Sequence, residues 1–370
     1  MNDSQSRFSG KLAIYLWFRF FVPLACCLIS FSLLFLITDC FDVLQDFLDH
    51  DAPFSMMLEF FYHMQPQRLV TVVPMAFLLA SMYTFAGLSR HNEVVAIRAS
   101  GISLVRTSVF IWLTAIAVGF GMKHALDNVV PNSIEMAEHI EDRLGSHDLK
   151  VVKSQVLAYR SKKFSRDWIF GKFSIEGEKR DVVVTQFRSD GTIKWEIRAD
   201  VALYTGGSGW LFEKGQISYY DEEGELLIKA PESFDSRRFS KLNEKPEGIR
   251  NSLSPVQMLK TEDIYTILAN SDGMAKFTVL NCYTTIYYRW FFPFGCLIAL
   301  LFGIPLSINT GRGGMFANLG IAVLTVLSFY GVLQGFLVMA QNGVTSPFMA
   351  GLIPTLGYLV VGGFMMYKKR

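Results

Sequence analysis

Long apolar runs divide the chain, and six of them are long enough to cross a membrane as helices. A helix needs about 20 apolar residues to traverse roughly 30 Å of hydrocarbon. The predicted spans run over about 12–37, 69–88, 104–122, 283–308, 315–340 and 348–367. The fourth is the weakest candidate because Arg289 lies within it. The first is too long for a signal peptide and lacks a small-residue cleavage site, so we expect it to be retained.

A polar interval of about 125–275 separates the third and fourth spans, and it shows a different pattern. Over residues 193–203, apolar side chains alternate with Lys, Glu, Arg and Asp. This period of two predicts a strand with one apolar face and one solvated face. Further strands are predicted at 151–159, 168–175, 181–187, 210–220 and 225–230, with turns at Asp190-Gly191, Gly206-Gly207 and Glu223-Gly224. Helical connectors are predicted on either side, at 132–144 and 254–269. Short strands at this spacing favour an antiparallel sandwich or a jellyroll.

Basic residues indicate which loops face the cytoplasm, because Lys and Arg in short loops favour that side of a membrane. They lie at both ends of the chain and after the second and fourth spans, as Arg7, Lys11, Arg90, Arg98, Arg106, Arg312 and 368–370. The segment from Asp39 to Glu59 carries only acidic charges and is predicted to be a solvated outer loop. Six spans with both termini in the cytoplasm satisfy these assignments and place the polar interval on the outer side.

These patterns predict an α+β membrane protein. Six transmembrane helices carry an antiparallel β-jellyroll-like domain inserted between helices 3 and 4. The predicted domains are 1–124 with a cytoplasmic connector near 89–103, then 125–275 with the β domain, and 276–370 with the last three helices.

Composition supports a membrane protein. The 370 residues are 51% hydrophobic and only 18% charged, whereas soluble domains carry about 25% charged residues. These values argue against a water-soluble enzyme and against a disordered protein. The net charge of +2 gives no sign of nucleic-acid binding. The five cysteines form no C-x-x-C pair and the six histidines show no ligand spacing, so no metal or cofactor is predicted.

Motifs for catalysis are missing from the sequence. It has no G-x-x-x-x-G-K-[ST] loop for nucleotide phosphates, so the chain is not expected to hydrolyse ATP itself. It also lacks a G-x-S-x-G nucleophile turn and an H-E-x-x-H helix. We therefore predict a protein that is not an enzyme and has no catalytic residues.

A short amphipathic helix is predicted after the second span, within residues 89–103. Ser89 could cap its start, and Glu93 falls in its first turns, where negative charge is favoured. Val94, Ile97 and Arg98 would share one face. Gly101 suits the end of a helix. On this pattern alone, the segment is read as an ordinary interfacial connector.

Two cations lie at the outer ends of predicted spans. Arg289 is in the fourth span beside Trp290, and Lys123 is near the end of the third. A charge at such depth tends to face a bundle interior or a water-filled cavity. Together the two could hold a phosphate or carboxylate of an amphiphile. The alternative is that both side chains snorkel to the interface.

Gly331 and Gly335 form a GxxxG motif in the fifth span. This spacing permits close approach of another helix. The neighbouring helix could belong to the chain's own bundle or to another subunit.

The order of these parts, together with one stretch of sequence, resembles a known family. The stretch is Leu88-Ser-Arg-His-Asn-Glu-Val-Val-Ala-Ile-Arg-Ala-Ser-Gly-Ile-Ser103. It is similar to the pattern L-x-R-x-x-E-x-x-A-x-x-A-x-G-[IV]-S that follows the second span in the lipopolysaccharide-export permease family (LptF/LptG type). Three spans, an outer β domain and three more spans also match that family. The resemblance covers nearly the whole chain.

The resemblance implies a function in transport. Family members pair as two related permease subunits around a cavity in the bacterial inner membrane, and a cytoplasmic ATPase dimer drives them. The cavity takes lipopolysaccharide from the outer leaflet, and the jellyroll passes it to a periplasmic jellyroll bridge protein. The residues implied in ATPase coupling are Arg90, Glu93, Ala96, Arg98 and Gly101, and the candidate lipid-cavity residues are Arg289 and Lys123.

The sequence departs from the family at the outer end of the first span. Members often carry a lysine there, whereas this chain reads Thr38-Asp39-Cys40-Phe41-Asp42. A partner subunit could supply the positive charge, or the substrate could be less anionic. The competing interpretation of the chain is a membrane-anchored envelope scaffold or sensor, whose β domain binds other proteins. A third interpretation is a membrane enzyme that modifies lipids, but the sequence shows no group of residues that could form its catalytic site.

Overall fold

A computed structural model shows two compact units. The first, the helical unit, comprises Met1–Ala137 and Leu280–Arg370, and the second, the β unit, comprises Glu138–Val279. The structure describes residues 3–50, 52–144, 157–161, 164–172, 178–206, 209–221, 226–227, 231–242, 244–246, 248–249, 255–269, 276–308 and 315–368.

The described helices include the six predicted spans. Their bounds are α1 Asp3–Asp49, α2 Phe54–Arg90, α3 Glu93–Ala99, α4 Leu104–Thr107, α5 Val109–His124, α6 Val130–Leu144, α7 Thr261–Ala269, α8 Lys276–Phe291, α9 Gly295–Ile308, α10 Met315–Gln341 and α11 Pro347–Lys368. Within the described residues, six helical stretches are long and apolar enough to cross a membrane: Gly10–Asp49, Phe54–Arg90, Val109–Glu141, Lys276–Ile308, Ala317–Gln341 and Pro347–Lys368.

The prediction of a solvated loop between Asp39 and Glu59 is wrong. Helix α1 continues to Asp49 and α2 begins at Phe54, so only a short turn separates them. Apolar side chains between the acidic ones stabilise these extensions. Phe47 is buried and packs on Phe60, with ring centroids 5.7 Å apart. Asp42, Asp46, Asp49 and Glu59 therefore lie on exposed sides of the two paired helices, whereas Asp39 is buried.

The third span is longer than predicted because it continues through a π-helical turn. Residues Ala125–Val129 form this turn and connect α5 directly to α6. Pro131 follows in the first turn of α6, where its missing N–H costs little. The predicted helical connector at 132–144 is thus confirmed as helix, but it is an extension of the span and not a separate element.

The fourth span contains a break at Pro293. A 3-10 turn, Phe292–Phe294, separates α8 from α9. Helix α9 is buried along most of its length, and it packs closely against α2. Gly303 makes this approach possible: a Cβ atom built there would overlap Ser81 Oγ and lie 3.3 Å from Leu78 Cδ1. Both neighbours belong to α2.

We expect Gly303→Val to destabilise the helical unit, because the added atoms force α2 and α9 apart. Overpacking of this kind costs about 1–3 kcal/mol. The measurement is thermal unfolding of the purified chain in detergent. Gly363→Val is the matched control, since a Cβ at Gly363 meets no atom within 4 Å. Equal melting temperatures for the two variants would contradict this view of the helix contact.

The described residues of the β unit form a six-stranded antiparallel sheet. Its strands are β1 Leu157–Ser161, β2 Arg166–Lys172, β3 Lys179–Phe187, β4 Ile193–Tyr204, β5 Trp210–Tyr219 and β6 Glu232–Phe239. Neighbours in sequence are neighbours in the sheet, which makes it a meander. Ile197 lies opposite Val184 on one side and Ile217 on the other, so these apolar residues share a face. The antiparallel sheet is thus present, while the finer jellyroll assignment remains a prediction.

The sixth strand was not predicted from the pattern. Only Phe234 and Phe239 of β6 pack partly on the sheet's core, and the other residues of this edge strand are polar. The strand predicted at 225–230 lies mostly outside the described residues, and Leu226 forms an isolated bridge to Tyr220. Residues 151–156 of the first predicted strand and the Glu223-Gly224 turn also lie outside them.

The sheet is curled, so that β2 meets the segment that follows β6. Arg166 of β2 pairs with Glu244 at 3.1 Å and donates to the carbonyl of Lys241. The indole N–H of Trp210 donates to the carbonyl of Glu244 at 2.8 Å. The core on the inner face comprises Trp168, Phe170, Val182, Val184, Ile197, Trp210 and Phe212, with Leu242 and Ile249 packed on it.

Candidate functional site

The predicted short helix is present as α3. Asn92 adopts a left-handed conformation (φ 57°) and turns the chain from α2 into α3. Val94 and Ile97 are buried in the core of the helical unit, as the spacing indicates. Gly101, at φ 74°, ends the helix, and its N–H donates to the carbonyl of Arg98 at 2.9 Å. The predicted amphipathic helix, with Glu93 in its first turn, is confirmed.

The expectation that Ser89 caps this helix is wrong. Ser89 lies inside α2, and its hydroxyl donates to the carbonyl of Ile308 at 3.2 Å. Ile308 ends α9, where helix carbonyls lack partners within their own helix. Ser89 therefore ties the end of α2 to the end of α9. The residue at the cap position of α3 is Asn92, which makes no side-chain capping bond.

Glu93 forms an ion pair with a residue of the first span. Arg19 Nη1 lies 2.9 Å from Glu93 Oε1 and 2.7 Å from the hydroxyl of Tyr15. The two ionic side chains are 38% and 34% exposed, so Glu93 remains accessible. The sequence analysis did not pair Arg19 with Glu93. The one signal available for this pairing was that both residues lie near the predicted cytoplasmic ends of their elements.

Other candidate coupling residues are exposed on or beside α3: Ala96 and Arg98 of α3, and Arg90 at the end of α2. Val95 is 64% exposed. Arg98, which was predicted to share a face with Val94 and Ile97, is therefore exposed while those two residues are buried. One face of α3 is thus held by the helical unit, while the opposite face is available to a partner.

The two candidate lipid-cavity residues are brought together by a residue that the sequence analysis missed. Lys123 forms a very short hydrogen bond with Asp127, and its Nζ lies 4.2 Å from the ring centroid of Trp290. Asp127 also attracts Arg289 electrostatically. The spacing of Lys123 and Asp127, four residues apart in a helix, could have indicated the pair.

Burial limits what this cluster can bind in the present conformation. Arg289 is only 3% exposed, so it does not snorkel to solvent, and a ligand reaches it only if neighbouring helices move. The Lys123 side chain retains 21% exposure. Asp127 supplies a countercharge, which is how buried cations are tolerated inside proteins.

The acidic end of the first span has a compensating charge within the chain. Arg68 of α2 contacts both carboxylate oxygens of Asp39, at 2.6 and 3.1 Å. Asp39 is 4% exposed. The guanidinium also lies over the ring of Phe35, 5.5 Å from its centroid. At Asp39, therefore, Arg68 neutralises the carboxylate, and this charge needs no cation from a partner subunit.

We expect Arg68→Ala to destabilise the protein strongly, because Asp39 would remain buried without its partner. Removing one member of a buried ion pair costs about 3–5 kcal/mol. Thermal unfolding in detergent measures the loss, and the double variant Arg68→Ala, Asp39→Ala should recover part of it. If single and double variants melt together, the pair does not have this role.

An apolar cavity of about 450 Å³ lies among α1, α2, α9 and α10. Its lining includes Cys26, Cys27, Leu79, Met82 and Leu319. None of its described lining residues is charged, and neither Lys123 nor Arg289 is among them. Its surface suits hydrocarbon and not a headgroup.

The exposed face of α10 carries the GxxxG motif. A Cβ atom built at Gly331 or Gly335 would meet no described atom within 4 Å. Among the described residues, no part of the chain's own bundle packs against these glycines, and this stripe is open to another helix or to lipid.

Comparison with known proteins identifies the family. The model of the family described as "Lipopolysaccharide export system permease LptF/LptG" matches residues 14–368. A search of curated proteins gives no significant match. The six apolar helices are those of a multi-pass membrane protein. Because the family match covers nearly the whole chain, this protein belongs to the LptF/LptG family of lipopolysaccharide-export permeases, which are transporter subunits and not enzymes.

Proposed function

We propose that the chain is the permease subunit of an ATP-driven transporter that extracts lipopolysaccharide from the inner membrane. The β unit would receive the lipid and pass it to a periplasmic jellyroll bridge protein. The observation that carries this proposal is α3, which is anchored by Val94 and Ile97 and leaves an accessible face beside Glu93. A helix held in this way can receive a push from a motor protein and transmit it to the spans.

The proposed topology has both termini and α3 in the cytoplasm. Arg90, Arg98 and Arg106 around α3 favour that side. The domain scheme is 1–124, 125–275 and 276–370, with the β-jellyroll-like domain in the periplasm between helices 3 and 4. The sheet lies in sequence between α6 and α7, which supports this arrangement.

A cytoplasmic ATPase dimer would dock on α3. Glu93 would bind a basic group of the ATPase, with Arg90, Ala96 and Arg98 forming the surrounding surface and Gly101 ending the helix. Because Glu93 already holds Arg19, movement of α3 would also reach α1. ATP-driven closure of the motor would then narrow the lipid cavity and displace the lipid.

A second, related permease subunit would complete the cavity. Helix α1 leaves most of its apolar surface exposed, and α10 presents Gly331 and Gly335 without a neighbour among the described residues. Lipid acyl chains would occupy apolar space of the kind found beside Cys26 and Leu79. The two exposed helices provide the surfaces on which the partner could pack.

Arg289 and Lys123 would form the cationic part of the lipid path. In the present structure, Asp127 is their counterion. A phosphate of the lipid could replace the carboxylate when the helices move, because both are oxyanions that accept charge-assisted hydrogen bonds. Such an exchange avoids leaving a buried cation unpaired.

Co-purification tests the proposal. The tagged chain is expressed with candidate permease and ATPase subunits, extracted in mild detergent and purified. We expect a second permease chain and an ATPase dimer to be retained. Recovery of the tagged chain without any ATPase would contradict the proposal and favour a membrane-anchored scaffold.

A further inference from the structure

The two segments that connect the spans to the β unit each contain an interruption of regular α-helix. The β unit comprises Glu138–Val279, so the chain enters it from the third span and leaves it into the fourth. In the third span the interruption is the π-helical turn Ala125–Val129, and in the fourth it is the 3-10 turn Phe292–Phe294. Single turns of these kinds within long helices frequently mark functional sites or hinges.

The two interruptions lie beside each other in the helical unit. Helix α5, which runs directly into the π-helical turn, contacts the 3-10 turn: a Cβ atom built at Gly119 would lie 3.6 Å from the carbonyl oxygen of Pro293. One turn further along α5, Lys123 Nζ lies 4.2 Å from the ring centroid of Trp290. Because the breaks adjoin, the segments beyond them can bend at the same level of the bundle.

A proline accompanies each break and explains why the helix is weak there. Proline lacks the N–H that would bond the carbonyl four residues earlier, and its ring conflicts with that carbonyl. For Pro131, which follows the π-helical turn, that carbonyl belongs to Asp127. For Pro293, it belongs to Arg289. The backbone at these two residues therefore cannot receive the regular α-helical bond, and kinks in long helices occur at such positions.

The side chains of the same two residues hold the breaks together. Asp127 forms an ion pair with Lys123 one turn earlier and attracts Arg289 of the other span electrostatically. Arg289 is only 3% exposed, and a buried cation is tolerated only with a compensating charge or hydrogen bonds. A movement that separates the two spans at this level must therefore release Arg289 from the field of Asp127.

We propose that the two proline breaks form a paired hinge, which Asp127 keeps closed by holding Lys123 and Arg289. When Asp127 releases them, α6 and the part of α8 before Arg289 swing about the breaks. Helix α9 stays in place, because it is buried along most of its length. The hinge does not rest on the proposed function, although on that function a lipid phosphate replacing Asp127 would open it.

Distances between spin labels in the full chain, measured by double electron–electron resonance in nanodiscs, test the hinge. One label replaces exposed Phe364 of α11, and the other replaces exposed Met136 of α6 or exposed Tyr283 of α8. These are the two test pairs. The control pair joins Phe364 to exposed Leu33 of α1, which belongs to neither moving segment. A non-natural amino acid carries each label, so the native cysteines remain in place.

Three variants separate the hinge from a general loosening of the protein. Asp127→Asn removes the charge that keeps the hinge closed and retains the size of the side chain. Glu141→Gln is the matched control, because Glu141 is an exposed carboxylate of the same helical stretch. Adding Pro131→Ala and Pro293→Ala to Asp127→Asn restores an N–H at each break, so that regular helix can form across it.

We expect Asp127→Asn to raise the population with altered distances at least about tenfold in both test pairs, as for the loss of one charge-assisted contact. Glu141→Gln should give the wild-type distances, and the two alanine substitutions should restore them in the Asp127→Asn background. Unchanged distances in Asp127→Asn would overturn the proposal. So would a change that persists without the prolines or that appears equally in the control pair.

The outcome is independent of lipid transport, because the assay contains no lipopolysaccharide, ATP or partner subunit. A hinge that opens in a chain without transport activity would count against the proposed function alone. A chain that transports lipid while its test distances stay fixed in Asp127→Asn would count against the hinge alone.

Discussion

Glu93→Arg is expected to abolish retention of the ATPase and, with it, lipid transport. The substitution reverses the charge proposed to dock on the motor and places two cations where Arg19 and Glu93 now pair at 2.9 Å. Losing one partner of an interfacial charge pair costs about 2–5 kcal/mol, or roughly 30-fold to several thousand-fold in affinity. The measurement is the amount of ATPase that co-purifies with the tagged chain, followed by an assay of lipid release.

The charge-swapped double variant Arg19→Glu, Glu93→Arg separates docking from internal structure. It restores an ion pair of opposite polarity within the chain but leaves a cation on α3 facing the motor. If Glu93 docks on the ATPase, the double variant should remain inactive. Full recovery of binding and transport would show that Glu93 acts only by holding Arg19.

Arg289→Leu is expected to reduce lipid release at least about tenfold, since the loss of one charge-assisted contact to an oxyanion is worth about 1.5–3 kcal/mol. Lys123 would still pair with Asp127, so the chain should remain folded. ATP-dependent release of lipopolysaccharide from proteoliposomes is the measurement. Arg289→Lys should retain part of the activity because it keeps the positive charge.

Arg180→Leu provides the matched control, because the Arg180 side chain is 62% exposed in the β unit. Its removal should leave lipid release unchanged. Full activity of Arg289→Leu would favour spans that serve only as anchors, as in a scaffold or sensor.

The cores of the six spans could be predicted from the sequence, whereas their ends could not. Continuous apolar runs follow directly from the thickness of the hydrocarbon layer. Beyond the length needed to cross the hydrocarbon layer, helices α1 and α2 continue because particular side chains such as Phe47 and Phe60 pack together. That pairing depends on the register of two helices, which hydropathy does not contain.

In the β unit, the alternation of apolar and polar residues predicted β3, β4 and β5, because each of these strands has one buried and one solvated face. Edge strand β6 was not predicted, because only Phe234 and Phe239 pack on the core and the strand therefore shows no regular alternation of apolar and polar residues. The curl of the sheet could not be predicted either, because it depends on the long-range contact between Arg166 of β2 and Glu244 in the segment after β6.

The candidate coupling site was partly predictable for a similar reason. Helix α3 follows from local signals, a charge in the first turn and a glycine at the end. The ion pair between Glu93 and Arg19 does not follow from local signals, because Arg19 lies 74 residues earlier and reaches Glu93 only through helix packing. The pairing of Asp127 with Lys123 was easier to predict, because the two residues are four positions apart in one helix.

We propose that ATP hydrolysis in the cytoplasm moves lipid from the spans into the β unit. The most direct test of this transfer is crosslinking of lipopolysaccharide to benzoylphenylalanine at position 195, replacing Trp195, in the assembled transporter within nanodiscs. We predict an adduct that accumulates with ATP and remains at background without it or with an ATPase-inactive motor. Equal adducts with and without ATP would contradict this ATP-driven transfer.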